Sequence, residues 1–173
     1  QGLLTHRSSI ITNSRMALVR GAQALNAEWL LFLDSDMVFP HDAANRLLAH
    51  GLPIVGCDYR RRGPPFNRLA KMAHGKDVGL TSGLVEVDAI VAGALLIRMD
   101  VFEKIGKPYF ELAHDESLDY DHGEDYRFCA RVRAAGFRLF CDLDLSREVQ
   151  HMYQMPLQLV DAVGEECTPA SWR

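Results

Sequence analysis

Two rhythms alternate along the chain, helical spacing near 3.6 residues and short unbroken apolar runs. Residues 12–27 place Met16, Val19, Ala22 and Leu25 at or near helical spacing, with Asn13 and Ser14 available as caps, which predicts one amphipathic helix. Residues 29–33, Trp-Leu-Leu-Phe-Leu, then form an apolar run that stops abruptly at Asp34-Ser35-Asp36. Such a run predicts a central strand buried on both faces, its acidic end emerging at the sheet edge beside a cleft. Pro40 suits the first turn of a second helix, which Ala43, Leu47 and Leu48 continue until Gly51 stops it. Residues 53–57 read as another buried strand, and this strand, helix, strand order predicts a parallel α/β layer.

Periodicity fades over residues 60–83, where Gly63-Pro64-Pro65, Gly75, Gly79 and Ser82-Gly83 punctuate a polar stretch. A loop this long inside a compact domain is either functional or disordered. Beyond it the pattern predicts strands at 85–87 and 90–97, a short helix over 100–105 ended by Gly106, and an irregular acidic stretch over 111–122. A helix over 124–135 ending at Gly136, a strand at 137–141 and a further strand at 145–150 leading to His151 follow, with a weakly structured tail from 165. No repeat or linker divides the chain, so residues 1–173 read as a single domain.

With 48% hydrophobic and 24% charged residues, a 173-residue chain can bury a core without disulfides or structural metals. A net charge of −4 argues against a general nucleic-acid binder, which draws its affinity from many Lys and Arg contacts to phosphate. Cys57, Cys129, Cys141 and Cys167 show no CxxC spacing and read as reduced thiols of a cytoplasmic protein. The longest apolar runs, 29–33 and 89–97, fall far short of the roughly 20 residues that span a bilayer, and no secretory apolar region follows the N-terminus.

The candidate chemistry begins with Asp34 and Asp36. Side chains two apart on an extended segment point the same way, so the pair can share one divalent ion, or one can bind it while the other holds its water or a ribose hydroxyl. Hard carboxylate oxygens suit Mg²⁺ or Mn²⁺, either of which also binds a nucleoside diphosphate. An acidic pair can equally end a strand in solvent, but this one follows the most hydrophobic strand, where open α/β sheets place their ligand crevice. Gly123-Glu124-Asp125 opens a predicted helix, and a carboxylate there can serve as general base or merely answer the helix dipole. His151 can complete a metal's ligand set or simply pack, and His122 is a weaker rival for a histidine role. Gly93 inside a strand marks close approach of a ligand or backbone, or of a packed helix. Arg60, Arg61 and Arg62 form either a solvated loop or a clamp on a diphosphate.

Taken in order, Asp34-Ser35-Asp36 after an apolar strand, then Val91-Ala92-Gly93-Ala94 with Ile97-Arg98 and Val101-Phe102, then Gly123-Glu124-Asp125-Tyr126-Arg127-Phe128-Cys129 running into Arg131 and Ala135-Gly136, resemble the family 2-like glycosyltransferases of GT-A fold. The resemblance covers about residues 13–151. It implies a Rossmann-like, single-domain α/β architecture with a mixed, mainly parallel sheet flanked by helices. It also implies that Asp34 and Asp36 are the DxD pair holding Mn²⁺ or Mg²⁺ and a nucleoside-diphosphate sugar, with His151 as a late metal-binding histidine. Asp125 would be the base of an inverting transfer to a hydroxyl-bearing acceptor, such as a saccharide or lipid. Asn13 and Arg15 would match the helix start on the donor side and Gly93 a pocket wall, with Glu124 and Arg61 toward the acceptor or loop. The family ordinarily opens with a βαβ half that cradles the base, whereas 33 residues precede Asp34 here, so the expectation is either a fragment whose start is missing or an abbreviated base-recognition half.

Two rivals share these residues. Asp34-Ser35-Asp36-Met37-Val38 also fits the DxDx[TV] pattern of a haloacid-dehalogenase-like phosphatase, with Asp34 as nucleophile and Asp36 as acid/base, although Gly123-Glu124-Asp125 matches that pattern poorly. A GT-A-derived module that binds sugar or a partner without turnover is the non-catalytic rival.

Overall fold

The computed structural model describes residues 2–61, 67–72, 82–115 and 120–152. Among the described residues, ten strands and five helices follow one another as α1 (Ile11–Ala24), β1 (Trp29–Leu33), β2 (Met37–Val38), α2 (Ala43–Ala49), β3 (Ile54–Gly56), β4 (Lys71–Met72), β5 (Leu84–Ala89) and β6 (Ala94–Arg98), continuing as α3 (Met99–Ile105), β7 (Ala113–Asp115), β8 (Tyr120–His122), α4 (Glu124–Ala134), β9 (Leu139–Asp142), α5 (Leu143–Ser146) and β10 (Gln150–His151). Six of the strands form one sheet in the order β1-β6-β3-β9-β5-β4.

The sheet is mixed, as expected. β1, β3, β9 and β4 point one way and β5 and β6 the other, since only β3 and β9 pair in parallel while the remaining neighbours are antiparallel. The predicted β1-α2-β3 layer therefore has parallel strand directions, but β6 is inserted between them and bonds to both. As a result the ends of β1 and β3 and the start of β6 lie side by side on one edge.

Alternation along β6 divides the core. Leu95 and Ile97 face a large cluster with Val19 and Ala22 of α1, Phe102 of α3, and Phe128 and Val132 of α4, whereas Ala94 and Leu96 face a smaller one with Ala43 and Leu47 of α2 and Leu145 of α5. The sheet thus lies between two helical layers. In the larger cluster the rings of Phe110 and Phe128 stack at 4.8 Å, and Phe32 meets Phe110 edge-on at 5.5 Å. Gly106 and Gly136, at φ +65° and +87°, end α3 and α4 in the left-handed region that glycine enters without a Cβ penalty.

Several expectations are corrected. β1 is an edge strand among the described residues, with Leu33 half exposed, because its second neighbour is not another strand of this sheet. Asn13 and Ser14 do not cap α1, whose N-cap is Ile10 with no side-chain bond. Residues 90–93 are a turn rather than the start of a strand, and residues 113–115 and 120–122 form the antiparallel β7–β8 pair. The strand expected over 145–150 is instead the end of α5, capped by the Asp142 carboxylate on the Leu145 N–H, followed by the short β10. Arg62, Cys167, most of the 60–83 loop and the tail from 165 lie outside the described residues. Cys57, Cys129 and Cys141 are free and buried. No helix among the described residues is long and apolar enough to cross a membrane.

Candidate active site

Asp34 and Asp36 occupy the turn between β1 and β2 rather than an extended segment, so their shared direction is not set by strand alternation. Each meets a different partner. The Asp34 carboxylate faces the fork of Arg15, with Nη1 at 3.0 Å from Oδ1 and Nη2 at 3.2 Å from Oδ2. The Asp36 Oδ2 lies 3.5 Å from His151 Nε2, because β10 pairs antiparallel with β2 and sets His151 opposite Met37. The backbone strengthens this link, as the Met152 N–H donates to the Asp36 carbonyl at 2.8 Å.

Arg15 is the unexpected centre. It is only 5% exposed, lies over the Phe32 ring at 5.1 Å, and its Nε sits 3.7 Å from Glu124 Oε1. One guanidinium therefore joins the acidic turn after β1 to the acidic start of α4. Asn13, expected beside it, is exposed, since residues two apart on a helix do not share a face. Arg61 is exposed as well, at the root of the loop, its backbone N–H on the Asn67 carbonyl.

The turn at Ala92–Gly93 joins Asp34 to Tyr59. The Gly93 carbonyl accepts the Asp34 N–H at 3.0 Å, and the Gly93 N–H donates to the Tyr59 hydroxyl at 3.0 Å. The Asp125 Oδ1 accepts the Tyr126 N–H at 2.8 Å. What approaches Gly93 closely is the Tyr59 phenol, for a Cβ on Gly93 would lie 2.7 Å from a ring carbon.

Burial, opposed first by the Tyr126 amide and then by Arg15, pushes Asp125 above the usual carboxylate range. Glu124 is raised too, by burial first and then by Asp125. Tyr59 is raised well above an ordinary phenol by burial and then by the Asp34 carboxylate, so it keeps its proton. Its ring meets His151 edge-on at 5.2 Å.

Asp36 and His151 offer an oxygen and a nitrogen of the kinds that suit a divalent ion arriving with a diphosphate. His151 Nδ1 lies 2.9 Å from the Arg60 carbonyl, which leaves Nε2 on the Asp36 side. Magnesium-type sites use one or two carboxylates and complete their shell with phosphate and water. Among the described residues no three His, Cys, Asp or Glu side chains gather as a ready metal group; Asp36 faces His151, while Asp34 is held by Arg15.

Sequence reasoning missed Tyr59 and the bridging role of Arg15. The signal available for Tyr59 was a hydroxyl-bearing aromatic just past a buried strand whose end faces the same crevice as Asp34. Another is Asp58, 2% exposed, whose carboxylate takes the Leu69 and Ala70 N–H groups and Arg68 Nε and so fixes the returning arm of the loop.

No family model and no curated protein sequence matches the chain. Among solved structures it is similar to A197 from STIV, at 17% identity and TM-score 0.54 over 89% of this chain and 82% of that one. It is also similar to GalNAc-T7, solved with UDP, GalNAc and Mn²⁺, at 15% identity and TM-score 0.52 over 87% of this chain. The present chain spans 32% of that protein. At these identities the likeness establishes the architecture: the chain has a GT-A-like α/β fold, a mixed sheet flanked by helices.

Proposed function

We propose that the chain binds a nucleoside-diphosphate sugar and transfers the sugar to a hydroxyl acceptor. The observation that carries this reading is the buried Arg15 guanidinium that joins carboxylates from separate elements, Asp34 after β1 and Glu124 at the start of α4. Asp34 and Tyr59 follow the carboxyl ends of β1 and β3, the usual ligand position of open α/β sheets. That GalNAc-T7 was solved with UDP, GalNAc and Mn²⁺ guides the choice of probes.

Asp36 and His151 would hold a Mn²⁺ or Mg²⁺ ion, which would offset charge on the leaving diphosphate. Asp34, kept in one orientation by the Arg15 fork, lines the donor side. Asp125 takes the proton of the acceptor hydroxyl. Its burial suits the task, because a carboxylate with a raised pKa is a stronger base than an exposed one. Glu124 faces Arg15 and helps to set the start of α4.

The phosphatase alternative is disfavoured, since a nucleophilic Asp34 needs an oxygen free for phosphorus and both of its oxygens face Arg15. Calorimetric titration of Mn²⁺ with UDP, GDP, dTDP and their sugars tests the reading. Binding that needs metal and nucleotide together is expected, with slow metal-dependent hydrolysis of the preferred donor. Absence of metal-linked nucleotide binding throughout the panel overturns the reading, and binding without turnover for any acceptor favours a non-catalytic module.

A further inference from the structure

The Tyr59 hydroxyl has only part of its hydrogen-bonding capacity in use. It accepts the Gly93 N–H at 3.0 Å, and among the described residues no protein group accepts its own hydrogen. The phenol is half-buried, so a hydroxyl donor is held ready beside the Gly93 turn.

Its position is built rather than incidental. The Gly93 N–H fixes the oxygen, the His151 ring meets the phenol edge-on at 5.2 Å, and the missing side chain of Gly93 leaves the space the ring fills. The Gly93 carbonyl in turn holds the Asp34 N–H, so one peptide positions both groups. A donor locked in this way contributes geometry as well as attraction.

In the proposed reaction the sugar lies between the diphosphate, on the Asp36 and His151 side, and the acceptor hydroxyl at Asp125. A neutral phenol is a modest partner for a diphosphate, which favours cations, and a good one for a sugar hydroxyl. We infer that Tyr59 donates its hydrogen to a hydroxyl of the sugar being transferred and so helps select which sugar is accepted. This rests on the transferase reading.

Tyr59→Phe keeps the ring but removes the hydroxyl both as donor and as acceptor of the Gly93 N–H. Calorimetry with Mn²⁺ and whichever of UDP, GDP or dTDP the wild type binds should give the same affinity for wild type and variant, with a thermal midpoint lowered only modestly by the unpaired Gly93 N–H. Affinity for the matching sugar nucleotide should fall roughly 10- to 100-fold in the variant, as expected when a buried acceptor loses its donor. One deoxy analogue of that sugar nucleotide should bind both proteins alike, which identifies the hydroxyl. Equal affinity of both proteins for every sugar nucleotide overturns the inference while leaving the transferase reading intact. An equal loss for nucleoside diphosphate and sugar nucleotide also overturns it and assigns Tyr59 to the diphosphate or to structure. If the wild type binds no nucleotide with Mn²⁺, the transferase reading fails first and the inference falls with it.

Discussion

The two ends of the crevice hold their carboxylates by different means. At the β1–β2 turn, Asp34 meets a buried guanidinium through both oxygens. At the start of α4, Asp125 is partly buried with the Tyr126 amide on its Oδ1, and burial raises its pKa. A bidentate ion pair fixes direction, which suits a group that organises a donor. Burial with few hydrogen bonds raises basicity, which suits a group that must take a proton. Arg15 touches the first end and reaches the second through Glu124, so the two ends are built as one unit.

The largest effect that separates the ends is on turnover. Asp125→Asn should lower transfer by about 10²- to 10⁴-fold while Mn²⁺-linked nucleotide binding is kept, measured by donor consumption and calorimetry on the same protein. The wild-type acidic limb of kcat/KM should lie above the ordinary carboxylate range, with activity rising as pH passes through the raised pKa of Asp125 and the base loses its proton. Loss of nucleotide binding in Asp125→Asn would make its role structural.

Next in size is the link itself. Arg15→Met leaves Asp34 and Glu124 without their cation and should cost about 2–4 kcal/mol in denaturant unfolding, less than a fully buried pair because Asp34 remains partly exposed. Arg61→Ala, on an exposed side chain, should change stability by less than about 0.5 kcal/mol. Equal effects from the two would remove Arg15 from the centre of the site.

Much of the frame was legible in the sequence, because α1, β1, α2, β3, α3, α4 and β9 are segments whose period or apolar run decides them locally. The crevice was less so. The turn at 90–93 hides inside an apolar stretch, because Val91 and Ala92 are as buried as the strand that follows and burial alone does not distinguish turn from strand. α5 reads as a strand by its apolar residues, while its deciding signal, the Asp142 cap, lies just upstream of the expected element. The resemblance alone puts Arg15 on the donor side, and its two acidic partners, brought to it from 19 and 109 residues away, are beyond any local pattern. Tyr59 acquires meaning only against Gly93, which no spacing rule connects to it.

Smaller again is the effect at that junction. Gly93→Ala should destabilise by about 1–3 kcal/mol through overlap with the Tyr59 ring, read as a lower thermal midpoint. A neutral outcome would mean the ring moves freely. Smallest at neutral pH and felt only in base are the core thiols, where burial pushes Cys129 and Cys141 up to about 12 from 9.0. The unfolded chain gives up these protons near pH 9 and the folded chain does not, so stability present below pH 9 should fall by up to about 1.4 kcal/mol per thiol per pH unit as pH rises toward 12. Denaturant midpoints between pH 8 and 11 check this, and a midpoint that stays flat contradicts it.

Electron paramagnetic resonance of Mn²⁺ titrated with the protein and a nucleoside diphosphate tests the division of labour most directly. Wild type and Asp125→Asn should quench the free Mn²⁺ signal alike, and Asp36→Asn should leave most of the Mn²⁺ free. Quenching that survives in Asp36→Asn, or disappears in Asp125→Asn, would contradict the assignment of cation and base to opposite ends of one crevice.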